Sequence, residues 1–252
     1  MDFKGQVAIV TGGTSGIGEA ATRRFAQAGA SVVFCGTNRD KGNAREMAMR
    51  GDGLEVRFVA ADVSVEAQVE ALVQETLLRY GRLDYAINSA GIYQYQTSPV
   101  TEMDIDYWNH ILAVNLTGIF LSMKYQIRAM LRSGGGAVVN IASGAALKPV
   151  PQTNAYVAAK HGMVGLTKTA ALDFAQQNIR VNLVCPGLVQ TEMTAFLDTM
   201  DEESKAWFYK ANAMERIGQP DEIADAALWL CSPGASFTTG VVLPVDGGYS
   251  IK

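Results

Sequence analysis

The chain has 252 residues, of which 48% are hydrophobic and 18% charged, and a net charge of −4. This is the composition of a globular protein with material for a large core, and the lack of a basic stripe argues against a nucleic-acid partner. Two histidines argue against a histidine-rich metal site, and three scattered cysteines without a CxxC read as reduced, buried thiols in a cytoplasmic protein.

An apolar run at 7–10 predicts the first strand, close enough to the N-terminus to leave no room for a signal peptide. It ends in Thr11, Gly12, Gly13, Thr14, Ser15, Gly16, Ile17 and Gly18, and a helical pattern follows at 17–28 with Gly29 as its stop. Glycines between strand and helix allow a tight turn and let backbone approach a pyrophosphate, which the helix N-terminus then holds. The spacing is GxxxGxG, a departure from the general GxGxxG. The second strand, at 31–35, is followed by Gly36, Thr37, Asn38 and Arg39. An NAD site wants a carboxylate there, to bond the ribose hydroxyls and repel a 2′-phosphate. Thr37, Asn38 and Arg39 can receive that phosphate instead, so NADP is favoured over NAD.

A charged helix at 40–50, a strand at 56–60 and a helix at 65–80 come next, then a fourth strand at 83–88. A long helical segment covers 104–132 and holds Asn115 beside the apolar run 111–114. A buried amide there needs partners, and its own helix could supply them. The fifth strand, 138–142, runs into Ser143, and a helix at 153–177 carries Tyr156 and Lys160. That spacing stacks a phenol and an ammonium on one helical face, where the positive charge favours the phenolate and lowers its pKa. A strand at 179–185, a helix at 220–230 and a strand at 241–245 complete the chain. Strands alternate with helices throughout, so the fold class is α/β: a doubly wound, Rossmann-type parallel sheet of about seven strands with helices on both faces, forming one domain over 1–252. No apolar run is long enough to span a bilayer.

Together, TGGTSGIG at 11–18, Asp62 with Val63, Asn88 through Ala90 and Gly91, Asn115, Ser143, Tyr156 with Lys160, Pro186 with Gly187 and Thr191, and the tail 245–248 resemble the short-chain dehydrogenase/reductase family in its compact single-domain branch. The pieces occur in the family's order over the whole chain; Ser89 stands where the family usually has a second Asn. The resemblance implies an NAD(P)-dependent oxidoreductase that interconverts a secondary alcohol and a ketone by hydride transfer. It implies adenine contacts at Asp62 and Val63, cofactor contacts at Asn88, Ala90 and Gly91, and nicotinamide contacts at Pro186, Gly187, Val189 and Thr191. Ser143 would bond the substrate oxygen and Tyr156 would be the general acid or base. Lys160 would lower the phenol pKa and bond the ribose, and Asn115 would position a water between Lys160 and solvent.

Ala145, Lys148, Gln152, Tyr93, Gln94, Tyr95, Leu188 and the stretch 192–217 are the candidate walls for a small alcohol or ketone. The apolar side chains of 192–217 read equally as a lid or as core-facing helix. Small residues at 158–165 suit close helix packing between copies, and the family implies a homodimer or homotetramer. A 3-ketoacyl-thioester reductase stays open within the class, and a non-catalytic nucleotide sensor outside it. Nucleotide-sugar epimerases share YxxxK but are longer and carry a different glycine loop.

Overall fold

The computed structural model describes residues 1–252. Its strands are β1 (Val7–Thr11), β2 (Ser31–Gly36), β3 (Val56–Ala60), β4 (Tyr85–Asn88), β5 (Gly136–Ile141), β6 (Ile179–Pro186) and β7 (Val242–Val245). They form one sheet in the order β3-β2-β1-β4-β5-β6-β7, with every neighbouring pair parallel. The helices are α1 (Gly16–Gln27), α2 (Arg39–Gly51), α3 (Glu66–Tyr80), α4 (Ile105–Leu112), α5 (Gly118–Ser133), α6 (Asn154–Phe174), α7 (Glu202–Tyr209) and α8 (Pro220–Cys231).

The strands are apolar almost without alternation because both faces are covered. Side chains still alternate in direction, so each strand feeds two cores. Ala8, Val10, Val32, Phe34 and Ile87 pack with Ala21 and Phe25 of α1 and Ala224 and Leu228 of α8. Ile9, Val33, Ala86 and Val138 pack with Leu72 of α3, Ile127 of α5 and Met163 of α6. Burying a side chain of this size stabilises by roughly 1.5–3 kcal/mol, which is why the central strands carry the fold. Helix α3 stops where Gly81 turns left-handed (φ 74°) and its N–H reaches Leu77 O at 2.8 Å.

The strand order reverses between β1 and β4, so the connections leaving their carboxyl ends part to opposite faces and leave a crevice, the place where open α/β sheets bind ligands. One predicted element is subdivided. The helix expected over 104–132 is α4, a π-helical turn at Ala113–Thr117 and α5. Asn115 is the middle residue of that turn, a local widening that often marks a functional position. No helix is long and apolar enough to cross a membrane. Cys35, Cys185 and Cys231 are free and buried.

Candidate active site

The site begins with backbone fitted against backbone. Gly12 and Gly16 adopt positive φ (69° and 53°), open to glycine and strained for other residues. A Cβ on Gly12 would lie 2.8 Å from the Ala90 backbone, and one on Gly18 would lie 2.2 Å from the Gly12 carbonyl. These glycines bring the β1–α1 turn against the β4 loop and seat α1 on β1. Ser15 precedes α1 without capping it through its side chain. The first helical N–H groups and the positive end of the dipole therefore face a cleft of about 470 Å³, which is the donor set a pyrophosphate requires.

The cleft runs along the carboxyl ends of the strands. Gly12, Thr14, Ser15, Gly16 and Ile17 line it from the first turn, and Thr37 from the β2 tip. Asp62 and Val63 line it after β3, Ala90 and Gly91 after β4, and Pro186, Gly187, Val189 and Thr191 after β6. Asp62 also serves its own turn, accepting from Ser64 N at 2.9 Å and Ser64 Oγ at 2.7 Å.

Four expected cofactor contacts lie outside the cleft wall. Gly18 is spent on packing against Gly12. Asn38 caps α2, its Oδ1 accepting from Lys41 N at 3.0 Å, and Arg39 stands exposed in the first turn of that helix. Asn88 is fully buried in an amide network: its Nδ2 donates to Gln126 Oε1 and to Asn140 Oδ1, each at 3.0 Å. It ties β4 to α5 and β5. Ser89, Glu192, Met193 and His110 of α4 line the cleft in addition to the expected contacts. Glu192 carries a signal only in three dimensions, where it meets Lys41 of α2 at 2.5 Å.

Ser143, Tyr156, Lys160 and Asn115 meet at the far end. Ser143 follows β5, and its Oγ accepts from Ala145 N at 3.1 Å. Tyr156 and Lys160 sit in the first two turns of α6, only 6% and 4% exposed. Gln94 fixes the start of that helix: its Oε1 accepts from Tyr156 N at 3.1 Å and its Nε2 donates to Gln152 O at 3.1 Å. Gln94 is thus a brace, not the substrate wall expected of it. Asn115 reaches across to the β4 loop, donating to Ile92 O at 2.9 Å and accepting from Ile92 N at 3.0 Å. This excludes a side chain satisfied by its own helix. A Cβ on Gly91 would lie 2.8 Å from Asn115 Oδ1 and 3.7 Å from Lys160 Nζ, so only glycine allows that approach.

Burial sets the electrostatics. It pushes the Tyr156 phenol up to about 12, with the neighbouring Ser143 hydroxyl pulling the other way. It pushes Lys160 down to about 8. Lys160 Nζ donates to Ile141 O at 3.2 Å and stands 5.5 Å from the centre of the Tyr156 ring. Desolvation thus works against the lowering of the phenol expected from Lys160.

A second cavity of about 290 Å³ adjoins the cleft, and Ser143, Tyr156, Pro186, Gly187, Met193 and Thr194 line both. Tyr93, Ala145, Leu188, Phe196, Trp207 and Phe208 line only the second. Lys148, Gln152 and Tyr95 do not line it. Tyr249 does, a residue the sequence hid behind a glycine turn; a Cβ on Gly144 would lie 2.9 Å from its ring.

A phosphate cradle at the switch point of a parallel sheet, beside a buried phenol, lysine and hydroxyl, defines a nucleotide-dependent oxidoreductase. A family model described as "Enoyl-(Acyl carrier protein) reductase" matches residues 12–250. The chain is 40% identical to "Short chain dehydrogenase/reductase astE" of Aspergillus oryzae, over 100% of this chain and 97% of that protein. It is 39% identical to 2,5-dichloro-2,5-cyclohexadiene-1,4-diol dehydrogenase of Sphingobium indicum, over 99% and 98%. Its fold matches the crystal structure of a single-residue variant of actinorhodin polyketide ketoreductase with NADPH at a TM-score of 0.93 and 34% identity, over 98% of each chain. The chain belongs to the short-chain dehydrogenase/reductase family, whose members are NAD(P)-dependent oxidoreductases of alcohols and ketones.

Proposed function

We propose that the chain interconverts a secondary alcohol and its ketone with NADP(H) as the preferred cofactor, and that Tyr156 carries the proton. One observation supports this most: Tyr156 and Ser143 stand where the glycine-lined cleft meets the second cavity, so a ligand in each would touch at the phenol. A bound nicotinamide supplies or accepts the hydride and, when oxidised, adds a positive ring beside the phenol. The Ser143 hydroxyl holds the substrate oxygen. Tyr156, protonated at neutral pH, donates to that oxygen during reduction and takes the proton back during oxidation. Lys160 bonds the ribose and, with Asn115 holding the β4 loop, returns the proton towards solvent.

The cofactor reading rests on the β2 tip, where no carboxylate follows Cys35 and Thr37 enters the cleft. Arg39, exposed two residues after Thr37, is the cation at hand for a 2′-phosphate. A lower KM for NADPH than for NADH is expected; the reverse would overturn this part. The stretch 192–217 acts as a lid: of its large apolar side chains only Leu197 is buried, while Met193, Phe196, Trp207 and Phe208 face the second cavity.

The exposed Phe120 of α5 and Leu172 of α6 support a homodimer or tetramer built on those helices, and light scattering at the monomer mass would refute it. Three buried free thiols suit the cytoplasm. The deciding assay mixes the protein with NADPH, and separately NADH, and follows absorbance over a panel of ketones and alcohols. Turnover abolished by Tyr156→Phe is expected. Cofactor binding without turnover in either direction would leave a nucleotide sensor.

A further inference from the structure

The second cavity selects more narrowly than the reaction does. At about 290 Å³ it stands at the small end of ligand sites, which run to roughly 300–1,000 Å³. None of the side chains lining it carries a formal charge. Its walls are aromatic: Tyr93 meets Tyr156 edge-on at 5.2 Å, Phe196 meets Phe208 at 5.8 Å, and Phe208 meets Trp207 at 5.0 Å. Trp207 is 71% exposed although it borders the cavity, so a broad indole face is left without a partner from the chain.

The polar groups of the wall are mostly committed. Thr194 Oγ1 donates to Val189 O at 2.7 Å, and Asn212 Nδ2 donates to Arg216 O at 2.9 Å. Apart from Ser143 and Tyr156, the unpartnered Asn212 Oδ1, an acceptor only, and the phenols of Tyr93 and Tyr249 remain, and burial holds both phenols neutral. The neighbouring cation, Lys148, lies over the Tyr249 ring at 5.2 Å and outside the wall. The stretch 192–217 that roofs the cavity has six acidic and three basic side chains. Two of those three are already paired: Lys205 with Glu202 at 2.8 Å, and Arg216 with Glu222 at 2.6 Å. An anion placed here would lose its water without gaining a counter-ion, under a roof of its own sign.

We infer that the substrate is a neutral, compact, largely apolar ketone or alcohol of one or two rings, and that keto acids, sugar phosphates and acyl thioesters on a phosphorylated carrier are excluded. This rests on reading the site as a carbonyl–alcohol oxidoreductase.

The test is a matched pair: a six-membered ring ketone, and the same ring with a carboxylate on the carbon opposite the carbonyl, each with NADPH. A 3-ketoacyl thioester of coenzyme A is run alongside. The neutral ketone should lead the carboxylate by roughly 100-fold in kcat/KM, the scale of an uncompensated buried charge. Ala211→Lys, which places a cation on the cavity wall, should narrow that ratio at least tenfold. Comparable rates on the carboxylate or the thioester would overturn the inference and leave the redox reading intact. Binding gives an independent readout in Tyr156→Phe loaded with NADPH. The neutral ring alcohol should change tryptophan emission in that protein and not in its Trp207→Phe derivative, and the carboxylated ring should not. If no ketone turns over, the redox reading fails, and this emission measurement still decides the ligand class: a response to the carboxylate equal to that of the neutral ring would sink it.

Discussion

The floor and the roof of the site are held by different forces. The floor is backbone against backbone: Gly12 on Ala90, Gly18 on the Gly12 carbonyl, Gly91 under Asn115, with clearances that admit no Cβ. The roof, 192–217, meets the rest through a few side chains. Tyr95 Oη donates to Met193 O at 2.9 Å, Lys41 pairs with Glu192 at 2.5 Å, and much of its apolar surface stays exposed. Close packing resists local movement, while a segment with few buried contacts opens at low cost. A rigid floor can hold reacting groups in place while a loose roof admits and releases ligands. The same kind of change should therefore cost chemistry or stability in one region and binding kinetics in the other.

The largest effect belongs to the floor. Tyr156→Phe removes the phenol hydroxyl where the two cavities meet and keeps the ring's contact with Tyr93. Turnover should fall by about 10²–10⁴-fold, the range for loss of a general acid, while cofactor affinity measured by fluorescence titration stays within about twofold. An equal loss of affinity would mean that the phenol is a binding group and not the acid.

Lys160 carries the next largest effect, and its sign is unusual for a lysine. Its ordinary pKa is 10.5, and in the folded chain burial lowers it to about 8. Below pH 8 it is charged in both states, so the cost of burying the charge is felt in full. As pH rises from about 8 to 10 the folded lysine loses its proton first and stability recovers. Its titratable neighbours, Cys185 at about 11 and Tyr156 at about 12, ionise above that window. Lys160→Met should therefore gain about 3 kcal/mol at pH 7 in denaturant unfolding, and its advantage should shrink by pH 10. The same variant should lose activity. A substitution that stabilises and inactivates marks a group kept for function at the expense of the fold.

Gly91→Ala probes the floor without removing a titratable group. Its Cβ would press on Asn115 Oδ1, so the Ile92 clamp must shift, at about 1–3 kcal/mol. Thermal unfolding and turnover should fall together. The contrast is Trp207→Ala in the roof: within about 0.5 kcal/mol of the parent in stability, as for an exposed side chain, with the loss appearing in KM for substrate.

What the sequence could reveal divides along the same line. Strand runs, helix stops and the glycine spacing are local patterns, so the sheet and most of the cradle were legible from them. The Tyr156–Lys160 spacing needs only one helix to have meaning. Asn88 misled because a polar residue at a strand tip looks the same whether it faces ligand or a buried amide network. Gln94 misled because its partner is the Tyr156 N–H, 62 positions away in sequence. The phenol's pKa depends on total burial, which no short motif encodes. The roof was ambiguous because its apolar spacing fits a lid and a core helix equally, and only exposure separates them.

The smallest effect is in the roof's own fastening. Lys41 extends from α2, on the β2 side of the switch point, and Glu192 from the segment after β6, on the other side, so their ion pair crosses the cleft. A cofactor lying in that cleft would be restrained by the pair as it leaves. The pair is partly exposed, and such pairs contribute about 0.2–1 kcal/mol. Lys41→Ala should then speed cofactor release by roughly two- to fivefold in stopped-flow displacement, leaving the rate of a single turnover unchanged. Raising the salt should speed release from the parent more than from the variant, because the variant lacks the pair that screening weakens. A variant slowed in single turnover would place the strap in the floor's function and erase the distinction between the two regions.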